Sequence, residues 1–110
     1  MSLTIEPALL APLEIWEVPL DDSTIKFNKP LVVNPTIFDR GTPEECFYAE
    51  CHELDISAVR VDLDELSSCL RSDIRMTWKR VVQKQNNKLT AKELATKQRF
   101  LEIAEEVCDG

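Results

Sequence analysis

A chain of 110 residues with 44% hydrophobic and 30% charged residues is long enough to close one hydrophobic core, and this composition belongs to globular rather than disordered or fibrous proteins. No apolar run approaches the ~20 residues that span a bilayer, and no basic residue precedes a long apolar core in residues 1–12, so neither membrane insertion nor a secretory signal is expected and a cytoplasmic location is the default. The formal net charge of −7 is uneven: residues 1–61 hold Lys26, Lys29, Arg40 and Arg60 against eleven acids, whereas residues 62–110 hold nine charges of each sign.

One domain over residues 1–110 is expected, with an N-terminal arm (1–12), a strand-rich part (13–61) and two helices (62–107). The arm, with Pro7 and Pro12 around Ala8-Leu9-Leu10-Ala11, has no clear period. Leu13–Val18 and Thr24–Phe27 flank Asp21-Asp22-Ser23, a polar short loop that joins two antiparallel strands. Leu31-Val32-Val33 is β-rich, but the following Asn34-Pro35 marks it as short, bent or at an edge, because proline donates nothing to a ladder. Ile37-Phe38 continues it.

The polar turn Arg40–Glu45 leads into Cys46–Glu53, whose alternation separates two faces. Phe47, Ala49 and Cys51 share the core face; Cys46, Tyr48, Glu50 and His52 share the more polar one. Ser57–Val61 pairs with this strand, and Val59 and Val61 are expected to point inward.

Asp62 caps the main helix, with Glu65 at the third position and Val61 and Leu66 placed to clasp across the cap. Leu63, Leu66, Leu70, Ile74, Trp78 and Val81 recur at steps of three or four, an apolar stripe that covers the sheet as far as about Gln85–Lys88. Thr90-Ala91-Lys92-Glu93 is a capping box. It opens a second helix expected to run to about Val107, with Leu94, Phe100, Leu101 and Ala104 as its apolar side. The fold class is therefore α+β: a small antiparallel sheet of two hairpins packed against one long C-terminal helix, with a second helix after it.

Residues from about Ile37 to Ile74 resemble the HicB-like family of small proteins, many of them antitoxins. The resemblance lies in Phe47-Tyr48-Ala49-Glu50-Cys51, in Glu53-Leu54-Asp55-Ile56-Ser57-Ala58 and in the helix opening Val61-Asp62-Leu63-Asp64-Glu65-Leu66, about a third of the chain. It implies a small antiparallel sheet packed on one helix, the binding of a partner that is often a small RNA-cleaving toxin, and homo-oligomers. The chain departs from the family at Arg60-Val61-Asp62-Leu63, where members usually place a glycine before an Asp-Thr pair, and only one clear helix follows where full antitoxins add a helix-turn-helix or ribbon-helix-helix segment for DNA.

Cys46, Cys51 and His52 have metal-ligand side chains, but zinc needs about four ligands converging on one point. Alternation turns Cys46 and His52 away from Cys51, and Cys69 and Cys108 lie far along the chain, so no metal or other cofactor is expected. The irregular spacing of the four cysteines favours reduced thiols. The sole histidine, His52, sits at the strand end with Glu50 two residues away on the same face and no convergent catalytic partner, so a non-enzymatic protein is expected. Trp16 and Tyr48 fall on the less apolar sides of their strands and, with Glu50 and His52, form the expected partner-binding set.

The basic series Arg71, Arg75, Lys79, Arg80, Lys84, Lys88 and Lys92 steps by about four, and Arg75, Lys79, Arg80 and Lys84 are the expected nucleic-acid contacts if that ridge meets phosphate. The helix dipole favours the same distribution without a ligand, since acids fill the first turn and bases the last. The leading expectation is a protein-interaction module that binds a protein partner, such as a small toxin, or another copy of itself. The alternative is a nucleic-acid-binding regulator.

Overall fold

The computed structural model describes residues 11–108, so nearly all of the expected arm lies outside the described residues. The chain is α+β, as its sequence predicts. In order it forms β1 (Leu13–Pro19), β2 (Ser23–Val33), β3 (Thr36–Phe38), β4 (Cys46–Cys51), β5 (Ile56–Arg60), α1 (Leu63–Thr77), α2 (Ala91–Ile103) and β6 (Ala104–Cys108). The strands make two antiparallel three-stranded sheets, ordered β1-β2-β6 and β3-β4-β5.

β2 is one continuous strand that contains both the Thr24–Phe27 and the Leu31–Val33 segments. Pro30 is tolerated because the ladder with β1 breaks around it. Ile15 pairs with Leu31 and Glu17 with Lys26, so β1 advances two residues while β2 advances five. The extra residues of β2 form a bulge that asks no donor of proline. The break also resets the phase of β1, whose buried residues Ile15 and Val18 stand three apart rather than two.

Beyond the bulge, burial alternates without interruption: Leu31, Val33 and Pro35 are buried, while Val32, Asn34, Thr36 and Phe38 are exposed. Asn34-Pro35 therefore carries the chain from the first sheet to the second in near-extended form. The proline ring takes the place of an inward side chain.

Two expectations for the second half are corrected. Val59 and Val61 point outward, with 46% and 69% of their surface exposed. The register explains this: Ala49 pairs with Ala58 and Cys51 with Ile56, and residues paired across strands share a face, so the inward β4 residues draw Ile56 and Ala58 inward. The turn between the strands places Asp55 at φ 56°, a left-handed conformation that aspartate tolerates better than most residues.

The second correction concerns residues 104–108, which are strand rather than the end of a helix. β6 pairs with β2 from Ser23↔Cys108 to Phe27↔Ala104 and covers an edge that would otherwise stay open. Tertiary pairing outweighs the local helix preference of Ala-Glu-Glu. Of the residues expected on the apolar side of the second helix, Phe100 and Ala104 are buried, whereas Leu101 is exposed.

α1 begins at Asp62, whose carboxylate accepts from the backbone N–H groups of Asp64 at 2.7 Å and Glu65 at 3.2 Å. It buries Leu66, Leu70 and Ile74, then loosens into a π-turn over Trp78–Val82 that buries Trp78 and Val81. The predicted stripe is thus the core face. The capping box of α2 is complete: Glu93 N–H donates to Thr90 Oγ1 at 3.2 Å, and Thr90 N–H donates to Glu93 Oε1 at 2.9 Å. Trp78 and Phe100 meet edge to face, with centroids 5.2 Å apart and planes at 81°, and this contact joins the two helices inside one core shared with both sheets. No described helix is long and apolar enough to cross a membrane.

Candidate binding face

The side of the sheets away from the core collects most of the exposed large apolar residues. Val32, Asn34, Thr36 and Phe38 form one outward row. Thr36 pairs with Tyr48 and Phe38 with Cys46 on β4, and Tyr48 and Glu50 pair with Val59 and Ser57 on β5. On the other flank Glu14 pairs with Val32, and Trp16, two residues on, is 56% exposed. Of the expected partner-binding residues, Tyr48, Glu50 and His52 line one cleft with Val32, Asn34 and Thr36, while Trp16 is exposed at the register break of β1 and is not part of that cleft.

Glu50 is the centre of this face. His52 Nε2 lies 3.2 Å from Glu50 Oε1, and Glu50 and Ser57 are the polar side chains that act on the Tyr48 phenol. Partial burial, followed by the neighbouring Glu50 charge, pushes the Tyr48 phenol above its usual range, which keeps it a donor. Phe38 braces the Tyr48 ring edge-on, with centroids 6.0 Å apart and planes at 70°. Beside them opens a cleft of about 330 Å³ lined by Leu31, Val32, Asn34, Thr36, Tyr48, Glu50, Cys51, His52 and Glu53.

The basic residues do not converge. Lys79 Nζ is 3.0 Å from Asp21 Oδ2 in the β1–β2 turn. That contact, with a smaller contribution from Arg75, holds the Asp21 carboxyl below its usual range. Arg71 donates to the Glu17 carbonyl at 3.1 Å, and Lys92 pairs with Asp55 at 3.2 Å. Arg80 and Lys84 lie instead near the start of α2. There the Thr90 backbone N–H, and to a lesser degree these two cations, lower the Glu93 carboxyl.

The four cysteines are free. Cys51 is buried while His52, next to it, is exposed, and burial is the main cause that raises the Cys51 and Cys69 thiols. Among the described residues no group of three or more His, Cys, Asp or Glu could hold a metal ion. Sequence reasoning missed Val32, Asn34, Thr36, Phe38 and Val59 as members of the face. The alternation that places the first four was present, but Asn34-Pro35 read as a break. No family model, curated protein or solved structure matches this chain.

Proposed function

We propose that this chain is a non-enzymatic, cytoplasmic protein-interaction module with a HicB-like core, which binds a protein partner or a second copy of itself through the outward face. One observation carries the reading: Val32, Phe38, Tyr48 and Val59 lie on the outward side of the sheets, and Trp16 is likewise exposed on β1. Aromatic and aliphatic groups left on one face contribute little to folding, and they are what the buried centre of an interface is made of. The meander β3-β4-β5 running into α1 at Asp62 supports the HicB-like reading, since it spans the residues that carry the resemblance and packs a small sheet on one helix. A small toxin is the partner class that this resemblance suggests.

Native mass measurement, joined to affinity capture from the host with the wild-type chain and with Trp16→Glu and Tyr48→Glu, tests the proposal. Self-association, or a captured protein, that both substitutions abolish is the expected result. A strict monomer with no partner sensitive to either change overturns it.

The exposure of Arg75, Arg80 and Lys84 favours a second reading, nucleic-acid binding along Arg75, Lys79, Arg80 and Lys84. The Lys79–Asp21 pair weighs against it by occupying one of these four cations, and Lys92, farther along the basic series, is paired with Asp55. Charge reversal at Lys79, Arg80 and Lys84 separates the two readings. A nucleic-acid complex would be lost and would weaken steeply between low and moderate salt, whereas partner capture through the sheets would persist.

A further inference from the structure

We propose that the cleft between Asn34 and Tyr48 receives an arginine side chain carried by a basic segment of a partner protein; this rests on the reading of the outward face as a protein-binding surface. Its walls are acceptor-rich. Glu50 and Glu53 bring carboxylates, Asn34 an amide oxygen and Thr36 a hydroxyl, and His52 is the one lining residue able to carry positive charge. Tyr48 lines the cleft, and its ring meets that of Phe38 at 70° with centroids 6.0 Å apart. An aromatic face beside a carboxylate suits a guanidinium: the planar cation stacks on the ring while its N–H fork meets the carboxylate oxygens. An ammonium would satisfy the charge and leave the planar stack unused.

Size and field agree with this occupant. A volume of about 330 Å³ lies at the small end of ligand cavities and fits one side chain better than a cofactor. Residues 11–61 carry ten acids against four bases, so the sheet half draws cations and repels phosphate. Glu50 already lies 3.2 Å from His52 Nε2, a contact that restricts its carboxylate before a partner arrives. The exposed Arg80 and Lys84 of a second copy fit less well, because Glu93 stands beside them and would bring a carboxylate against Glu50 and Glu53.

The test is an NMR titration of the isotope-labelled full chain with N-acetyl-arginine amide and with its neutral isostere N-acetyl-citrulline amide. Saturable shifts at Asn34, Thr36 and Tyr48 are expected with the arginine compound alone, weakened at least tenfold by Glu50→Gln and by Tyr48→Leu. An equal response to citrulline, or an affinity that Glu50→Gln does not move, overturns the inference. Dimerisation of the chain suppressed by the arginine compound would overturn it as well, by making a second copy the occupant. A partner retained by Glu50→Gln but lost with Tyr48→Glu would sink the arginine inference and leave the interaction reading standing. Arginine binding in the cleft, with partner capture indifferent to every outward substitution, would do the reverse.

Discussion

The indole N–H of Trp78 donates to Glu106 Oε1 at 3.0 Å, while Glu106 Oε2 accepts from the Ser23 hydroxyl at 2.8 Å. One carboxylate therefore ties the π-turn that ends α1 to β6 and to the start of β2. Trp78 is 1% exposed, so its N–H depends on this acceptor rather than on water. β6 supplies this acceptor, because its pairing with β2 sets Glu106 opposite Ile25, within reach of both donors.

Glu106→Ala should cost about 1–3 kcal/mol, the range for leaving a buried donor without its acceptor. Glu106→Gln keeps one oxygen and should lose less. Urea unfolding followed by tryptophan fluorescence checks both; equal midpoints for wild type and Glu106→Ala would show that water replaces the carboxylate.

The same carboxylate predicts an acid dependence. Ser23 and then Trp78, as donors, hold the Glu106 carboxyl below its ordinary value. A carboxylate depressed in the folded state stabilises fully above its unfolded pKa of about 4.3, and that stability is lost as pH falls through the folded value. Thermal melts of wild type and Glu106→Gln should therefore stand apart at neutral pH and draw together in acid. A gap that persists at the lowest pH would assign the difference to shape instead of charge.

Phe100 supports Trp78 from α2 and is fully buried. Phe100→Ala should destabilise by about 3–5 kcal/mol through the cavity it leaves. The expected signature is a shifted unfolding midpoint with an unchanged denaturant slope.

Much of this core was legible because helical periodicity is long and redundant. Leu66, Leu70, Ile74, Trp78 and Val81 mark one stripe five times over, and capping chemistry at Asp62 and Thr90 marks both helix starts. Strand phase is short-ranged by comparison. Val59 and Val61 look as apolar as Ile56 and Ala58, and only the pairing of Ala49 with Ala58 decides which pair turns inward. Residues 104–108 were illegible for the same reason, since their partner strand lies about eighty residues away. The outward face was half legible: Tyr48, Glu50 and His52 could be named from alternation, but the row from Val32 to Thr36 beside them depends on Pro35 being buried within an extended run.

Asp62→Ala should destabilise by about 1 kcal/mol, since the backbone N–H groups of Asp64 and Glu65 lose their side-chain acceptor. Asp62→Asn should recover most of that loss. Similar melting temperatures for the alanine and wild-type chains would mean that packing of Leu66 and Leu70 alone secures the start of the helix.

Ile15 and Trp16 are chain neighbours on opposite faces, 1% and 56% exposed, and this contrast separates folding from binding. Ile15→Ala removes core volume and should cost about 2–5 kcal/mol of stability. Trp16→Ser removes a larger side chain from a surface that folding does not bury, and should cost under about 1 kcal/mol. Partner affinity should respond in the opposite order. An aromatic anchor at the centre of an interface is worth about 2 kcal/mol or more, roughly a thirtyfold loss on truncation. Ile15→Ala should leave affinity unchanged in whatever fraction stays folded. Denaturant unfolding paired with affinity capture of the same two variants measures both quantities, and a Trp16→Ser chain that binds its partner as the wild type does would remove β1 from the binding face.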